Sequence, residues 1–160
     1  MDSTRTPSEL FDELVAATNA HDVDRLVDCF ADDYDLTDPV HPARSFTGSA
    51  QVRKNWTTMF TAVPDVHLDV QDHVVTDTGF WLEASQIGNR RDGMHLEMRT
   101  VFIAAVADGL ITSAHLYAAP VEPGGPDIDA VFAAVAGAVP TDPDLLTGTA
   151  QHLAARGDLP

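Results

Sequence analysis

Ala31-Asp-Asp-Tyr-Asp-Leu-Thr-Asp-Pro-Val-His-Pro-Ala-Arg-Ser-Phe-Thr-Gly48 is the stretch around which this chain is organised, because it joins two helical patterns to a third. It contains four aspartates, two prolines, a histidine and an arginine. The prolines at positions 39 and 42 prevent an ordinary helix here. A polar, proline-stiffened segment between periodic elements is either a solvated linker or the rim of a site. We favour the second interpretation and call residues 31–48 the rim segment.

Two helices are predicted before the rim segment. Thr6-Pro7-Ser8-Glu9 forms a capping box with a proline at the first helical position, and apolar residues follow at helical spacing up to Thr18. The pattern breaks at residues 19–21, where Asp22 caps a second helix with Phe30 among its inward positions. A short turn between two such helices predicts an antiparallel helical hairpin.

A third helix and four strands are predicted after the rim segment. The helix begins at residues 47–49, carries an apolar stripe and is stopped by Pro64. From Asp65 the apolar period changes to two, and short turns, including Asp108-Gly109, separate the strands. The predicted strands cover residues 65–76, 80–88, 94–106 and 110–119. Consecutive strands joined by short turns predict an antiparallel meander.

This order of elements predicts an α+β fold in which a strongly curved antiparallel sheet wraps around the N-terminal helices in a cone. A pocket is expected between the concave face of the sheet and helices one and three. Residues 121–126 read as a Pro/Gly linker, followed by an amphipathic helix over 128–139 and a weaker one from Asp142 to Gly157. We therefore expect a domain over residues 1–122 and a linker with a helical tail over 123–160. The 128–139 helix is predicted to pack on the sheet, over the cone's mouth or on a second subunit.

Composition limits the class of protein. The chain has 160 residues, 44% hydrophobic and 21% charged, as expected of one soluble globular domain. The formal charge of −16 argues against nucleic acid and anionic membranes as partners. With no signal-peptide core and no apolar run of spanning length, the default location is cytoplasmic. Cys29 lies among apolar residues and reads as an inert buried thiol, and the histidines lack ligand spacing, so no metal is expected.

Five short segments carry a resemblance to a known superfamily. They are residues 20–33, Thr-Asp-Pro at 37–39, Phe-Thr-Gly-Ser-Ala-Gln-Val-Arg at 46–53, Asp-Gly-Leu-Ile at 108–111 and His-Leu-Tyr at 115–117. Over residues 8–122 the chain resembles the nuclear transport factor 2-like superfamily, in its SnoaL-like and ketosteroid isomerase-like branches. The resemblance implies a cone-shaped scaffold that hosts isomerases, cyclases, hydrolases, dehydratases and non-catalytic binders. It also implies a homodimer, because members often pair through the sheet, and chemistry without a cofactor.

Within that resemblance, Asp38 matches the general base of the ketosteroid isomerases. The Tyr and protonated Asp that stabilise the enolate in those enzymes match Leu14 and either Val101 or Thr100. The base position is kept and the oxyanion donors are lost, which argues against steroid isomerisation by that route. Of the three charged groups of the limonene epoxide hydrolase branch, only Glu83 survives.

Each candidate side chain has a structural interpretation beside its functional one. Asp38 either caps the turn before Pro39 or is a partly desolvated base with a raised pKa. Glu83 lies in an apolar strand and is either catalytic or part of an ion pair with Arg99 in the pocket wall. The turn at 89–93 closes in two registers, so the sequence leaves open which of these side chains face the pocket.

The remaining candidates lie on the last strand, the rim segment and the pocket wall. His115 and Tyr117 share one face and are candidate donors to an oxyanion, or else core or interface residues. His41 is a candidate acid, base or substrate contact at the mouth. The predicted substrate-binding side chains, besides His41 and Arg99, are Trp56, Phe60 and Trp81.

Two functions therefore stay open. The first is a cofactor-free isomerase, cyclase or lyase in which Asp38 abstracts a proton from an apolar carbonyl compound, helped by His115, Tyr117 or Glu83. The second is a non-catalytic module of the same fold that binds a hydrophobic ligand or serves dimerisation.

Overall fold

The computed structural model describes residues 4–137, of which residues 4–121 belong to a first unit and residues 122–137 to a second. In the first unit the helices are α1 (Pro7–Asn19), α2 (Val23–Val27) and α3 (Ser49–Ala62). Its strands are β1 (Phe30–Thr37), β2 (Phe46–Thr47), β3 (His67–Thr76), β4 (Gly79–Asn89), β5 (His95–Ala107) and β6 (Leu110–Pro120). The α+β class predicted from the sequence is confirmed.

The first helix starts as its capping box requires. The Thr6 hydroxyl accepts the Glu9 N–H at 3.2 Å, and the Glu9 carboxylate accepts the Thr6 N–H at 2.8 Å. The Asp22 carboxylate then caps α2 by accepting the Arg25 N–H at 3.0 Å. These bonds satisfy N–H groups that the helix itself leaves without partners.

The second helix ends earlier than predicted, because Phe30 begins β1 instead of facing inward from α2. Phe30 lies opposite Ile111 of β6, and the Ile111 N–H donates to the Cys29 carbonyl at 2.8 Å. Pairing with a strand far along the chain outweighs the local helical spacing here. The first part of the rim segment is therefore sheet.

The sheet has the strand order β2-β1-β6-β5-β4-β3. The meander from β3 to β6 is antiparallel, as predicted. The sheet also contains a pairing that the sequence did not predict, because β1 runs parallel to β6. The turn between β5 and β6 uses left-handed backbone at Asp108 (φ 52°) and Gly109 (φ 74°), which suits a tight two-residue hairpin.

The register of β4, β5 and β6 fixes which side chains share a face. Asn89 lies opposite His95, so residues 90–94 close the β4–β5 hairpin. With that register Leu82, Phe102 and Leu116 lie side by side on the face that packs against the helices, which we call the inner face. The residues between them in each strand lie on the opposite, outer face.

The core of the first unit lies between the inner face and the helices. Leu10, Phe11 and Leu14 of α1 are buried in one cluster with Phe80 and Leu82 of β4. At the end of α1, the Asn19 side chain accepts the Leu68 N–H at 2.7 Å and donates to the Leu68 carbonyl at 3.0 Å. This pair of bonds ties the helix to β3.

In the second unit the structure describes one helix, α4 (Ile128–Gly137), at the position predicted for 128–139. Its large apolar side chains are exposed. The helix predicted from Asp142 to Gly157 lies outside the described residues, and the domain boundary after residue 122 stays a prediction. No helix among residues 4–137 is long and apolar enough to cross a membrane.

Candidate functional site

A cavity of about 270 Å³ lies between the inner face of the sheet and the helices α1 and α3. Its wall is mostly apolar and includes aromatic, methionine and leucine side chains from eight elements of the first unit. The apolar lining residues are Leu14, Phe30, Leu36, Phe46, Val52, Trp56, Met59, Leu68, Leu82, Met98, Phe102, Leu116 and Ala118. The cavity lies where the sequence predicts a pocket.

Five polar side chains also line the cavity, and none of the lining residues is charged. The Thr18 hydroxyl donates to the Leu14 carbonyl at 2.7 Å, and the Asn55 side chain accepts from Gln51 at 2.7 Å. Burial strongly raises the pKa of Tyr34, so its hydroxyl is neutral at physiological pH. The other two polar residues are Gln86 and Thr100.

Among the lining residues that the structure describes, Thr100 is the one with a fully buried polar side-chain atom that lacks a hydrogen-bond partner. Its side chain is 4% exposed, and Oγ1 has no hydrogen-bond partner among the described residues. Thr100 lies opposite Ala84 on β4 and Ala118 on β6, so small neighbours leave space around the hydroxyl. A buried hydroxyl without a partner is costly, and a ligand oxygen would relieve that cost.

Asp38 follows β1 directly and is two residues beyond the lining residue Leu36. It is 4% exposed, and its Oδ1 accepts the backbone N–H groups of Val40 at 3.1 Å and His41 at 2.8 Å. Its own N–H donates to the Ser45 hydroxyl at 3.0 Å. The carboxylate thus holds together the turn that contains Pro39, and it is not among the residues that line the cavity.

The pKa of Asp38 is lowered, which agrees with the interpretation of Asp38 as a cap of the turn and goes against a base with a raised pKa. Burial alone raises it, but the His41 N–H, the charge of His41, the Val40 N–H and Arg44 together have the larger opposite effect. Hydrogen bonds and positive charge favour the ionised form of a carboxylate. Asp38 is therefore ionised at neutral pH.

His41 lies beside Asp38. Its Nδ1 is 3.5 Å from Asp38 Oδ2, and that nitrogen is buried without a hydrogen-bond partner among the described residues. The side chain as a whole is 41% exposed. Like Asp38, His41 is not a lining residue of the cavity.

Five predicted site residues lie together on the outer face, away from the cavity: Trp81, Glu83, Arg99, His115 and Tyr117. Glu83, Val101 and Tyr117 are in register across β4, β5 and β6. The expected ion pair between Glu83 and Arg99 is not found in the described part of the chain, where Arg99 instead approaches Glu97 at 3.6 Å. This face presents exposed apolar side chains, with Trp81 55% exposed.

Of the nine predicted site residues, only Trp56 lines the cavity. Phe60, one turn later on α3, stacks on the His21 ring with centroids 4.5 Å apart and leans against Trp56 at 5.3 Å. It supports the wall from behind. The structure therefore places two of the predicted residues in a turn, five on the outer face, one in the cavity wall and one behind that wall.

Tyr34, Gln86 and Thr100 were not predicted as site residues. Tyr34 and Leu36 alternate with the exposed Asp33 and Asp35, a period-two signal that points them to one face. Whether Gln86 and Thr100 face the cavity depends on the register of the β4–β5 hairpin, which the sequence leaves open. That register turns Thr100 inward and Val101 outward.

Cys29 is a free, buried cysteine. Burial raises the pKa of Cys29 to about 11, so the thiol stays protonated at neutral pH. No group of three or more His, Cys, Asp or Glu in residues 4–137 could hold a metal ion.

Comparison with protein families matches residues 11–114 to the SnoaL-like domain. No match is found among curated proteins. Solved structures with similar folds include IdmH, a proposed polyketide cyclase from Streptomyces antibioticus, with a TM-score of 0.61 at 21% identity, covering 70% of this chain and 91% of that one.

Two further solved structures are similar in fold. AclR, a proposed hydroxylase from Streptomyces galilaeus, has a TM-score of 0.62 at 17% identity and covers 71% of this chain and 88% of its own. A protein with a ketosteroid isomerase-like fold from Catenulispora acidiphila, in complex with trimethylamine, has a TM-score of 0.59 at 18% identity, covering 70% and 86%.

Proposed function

This chain belongs to the SnoaL-like domain family, in the nuclear transport factor 2-like superfamily, and on that premise we propose that it binds a small, largely apolar organic molecule in the cavity. The cavity carries the proposal. It combines an apolar wall with a few polar groups, the combination typical of small-molecule sites.

Two neighbouring residues of β6 provide the test of binding. Ala118 lines the cavity, whereas Ala119 is exposed on the outer face. Ala118→Phe should fill the cavity and abolish binding of small aromatic compounds, and Ala119→Phe should leave it unchanged. Isothermal titration calorimetry on both variants decides the matter. Equal binding by the two variants would place the ligand elsewhere.

The catalytic candidate is a cofactor-free isomerisation, cyclisation or dehydration with Asp38 as the base. Its support is that Asp38 is ionised, shielded from water and two residues from the cavity wall. The fold shared with a proposed polyketide cyclase favours ring formation among these reactions. Asp38→Asn should lose turnover of a bound carbonyl compound while keeping its affinity. Unchanged turnover would exclude this mechanism.

The second candidate is non-catalytic binding in the same cavity. It is favoured because no charged side chain lines the cavity and because the Asp38 carboxylate already accepts two backbone N–H groups. Under this candidate no bound compound is converted, and Asp38→Asn changes stability alone.

A homodimer through the outer face is part of the proposal. Val74, Trp81, Val101 and Tyr117 form an exposed apolar group there. Contiguous apolar surface of this kind marks protein contacts in soluble proteins. The outer-face residues predicted as catalytic would then serve association.

A further inference from the structure

Resting on the proposed binding function, we propose that the cavity selects an uncharged aromatic compound of one or two fused rings, and that Thr100 binds a hydroxyl or carbonyl oxygen of that compound. Three independent observations support this inference: the volume of the cavity, its uncharged lining and the buried Thr100 hydroxyl without a hydrogen-bond partner.

The volume limits the number of rings. An apolar cavity of about 150 Å³ accommodates one benzene molecule, so about 270 Å³ has space for roughly two fused rings. A compound of four fused rings would leave part of its apolar surface in water. Its extra rings would therefore add little affinity.

The walls select against charge. A charged ligand would leave water for a cavity in which no lining side chain offers a counter-ion, and such burial is costly. Anions face a second penalty, because the chain carries a formal charge of −16. A neutral ring system meets neither penalty.

The walls also favour flat rings. Phe30, Tyr34, Phe46, Trp56 and Phe102 all line the cavity. Tyr34 is fixed by edge-to-face contacts with Phe30 (4.7 Å between centroids) and Phe46 (6.1 Å). Aromatic side chains held in this way present faces and edges against which a planar ligand packs well.

Thr100 supplies the orientation. It lies between Met98 and Phe102 on the inner face, and all three line the cavity. Because Thr100 Oγ1 is buried without a partner, it is free to donate to a carbonyl or to exchange a hydrogen bond with a hydroxyl of the ligand. An oxygen-bearing compound should therefore bind more tightly than its hydrocarbon analogue.

The two tryptophans make binding measurable. Trp56 lines the cavity and Trp81 lies on the outer face, so Trp81→Phe leaves the cavity residue as the single tryptophan fluorophore. In this background, 2-naphthol, naphthalene, 2-naphthoate and 1-hydroxypyrene are titrated at pH 7. We expect 2-naphthol to bind most tightly, about fivefold better than naphthalene for one net hydrogen bond. The naphthoate anion and the four-ring compound should each bind more weakly than 2-naphthol.

Thr100→Val tests the hydroxyl itself. In this variant 2-naphthol and naphthalene should bind with about equal affinity, and the affinity for naphthalene should be unchanged. Thr112→Val is the matched control, because Thr112 is not a lining residue and its hydroxyl lies 3.4 Å from the Ala105 carbonyl. The control should retain the preference.

The outcomes separate this inference from the proposed function. If 2-naphthoate or 1-hydroxypyrene binds most tightly, the proposed ligand class is wrong. The proposed binding in the cavity still holds in that case if Ala118→Phe abolishes the binding of that compound. A preference for 2-naphthol that survives Thr100→Val overturns the role of Thr100. If none of the four probes changes Trp56 fluorescence or binds by calorimetry, both the inference and the proposed binding function fail.

Discussion

The ionisation of Asp38 can be measured directly. Its pKa lies below the ordinary value of 3.8 because hydrogen bonds and positive charge outweigh the effect of burial. A carboxyl whose pKa is lowered by folding stabilises the fold above its ordinary pKa, and that contribution is lost as the pH falls through the folded value. NMR titration of the Asp38 carboxyl carbon should give a midpoint below 3.8.

The same shift predicts how stability depends on pH. The difference in unfolding free energy between wild type and Asp38→Asn should be constant near neutrality and disappear in acid, below pH 3.8. Denaturant unfolding at several pH values measures it. A midpoint above 3.8, or a difference that grows in acid, would contradict the bonding described for this turn.

For single residues, the sequence predicts which positions have a special structural role better than it predicts which atoms their side chains contact. The prolines and the Asp-Pro pair locate a turn at Asp38. They do not predict that the Asp38 carboxylate accepts hydrogen bonds from the Val40 and His41 N–H groups, because these bonds depend on the path of the backbone. Thr100 and Val101 are neighbours whose roles depend on the register of one hairpin.

Among the elements, the contact between α1 and β3 depends on one side chain. Asn19 bonds to both the N–H and the carbonyl of Leu68, and Leu68 lines the cavity. Asn19→Ala leaves both partly buried backbone groups without a partner, so we expect a loss of about 1.5 kcal/mol in unfolding free energy. Urea denaturation provides the measurement.

Gln71→Ala is the control for Asn19→Ala, because Gln71 lies on β3, the strand that contains Leu68. The Gln71 side chain is exposed and bonds to Asp69, so this variant should change stability by less than about 0.5 kcal/mol. A similar small effect of Asn19→Ala would mean that packing alone holds α1 on the sheet.

The elements themselves were predictable where local signals decide them. The capping box of Thr6 and Glu9 and the left-handed turn at Asp108 and Gly109 act within a few residues, and both were predicted. The early end of α2 at Val27 was not, because Phe30 is drawn into β1 by its pairing with Ile111. Sequence periodicity carries no information about so distant a strand.

For the whole molecule, the proposed homodimer predicts that substitutions on the outer face change the oligomeric state. Trp81→Glu should convert the dimer to a monomer, because it removes a large exposed apolar side chain from the outer face and adds a second carboxylate beside Glu83. Size-exclusion chromatography with light scattering gives the mass. Val40→Glu, at an exposed apolar residue outside the sheet, should remain dimeric. A dimeric Trp81→Glu would place association on another surface.

At this scale the fold was the most predictable property and the reaction the least. The superfamily was predicted from five short segments taken together, residues 20–33, 37–39, 46–53, 108–111 and 115–117. The same scaffold supports many activities, and what distinguishes them is the set of cavity-lining side chains. That set depends on strand register and on the unexpected partner of β1.

The parallel pair of β1 and β6 also has a consequence for how the chain acquires its structure. Strands β3 to β6 pair with their sequence neighbours, whereas Phe30 and Ile111 are separated by about 80 residues. Contacts so far apart are slow to form, because the intervening chain loses its freedom before the contact contributes stability. We therefore expect the four-stranded meander to assemble first and β1 to join it last. Since Tyr34 and Leu36 belong to β1, we expect the cavity to close only in that final step. On that order, a chain still being synthesised should not bind the proposed ligand before β6 is complete.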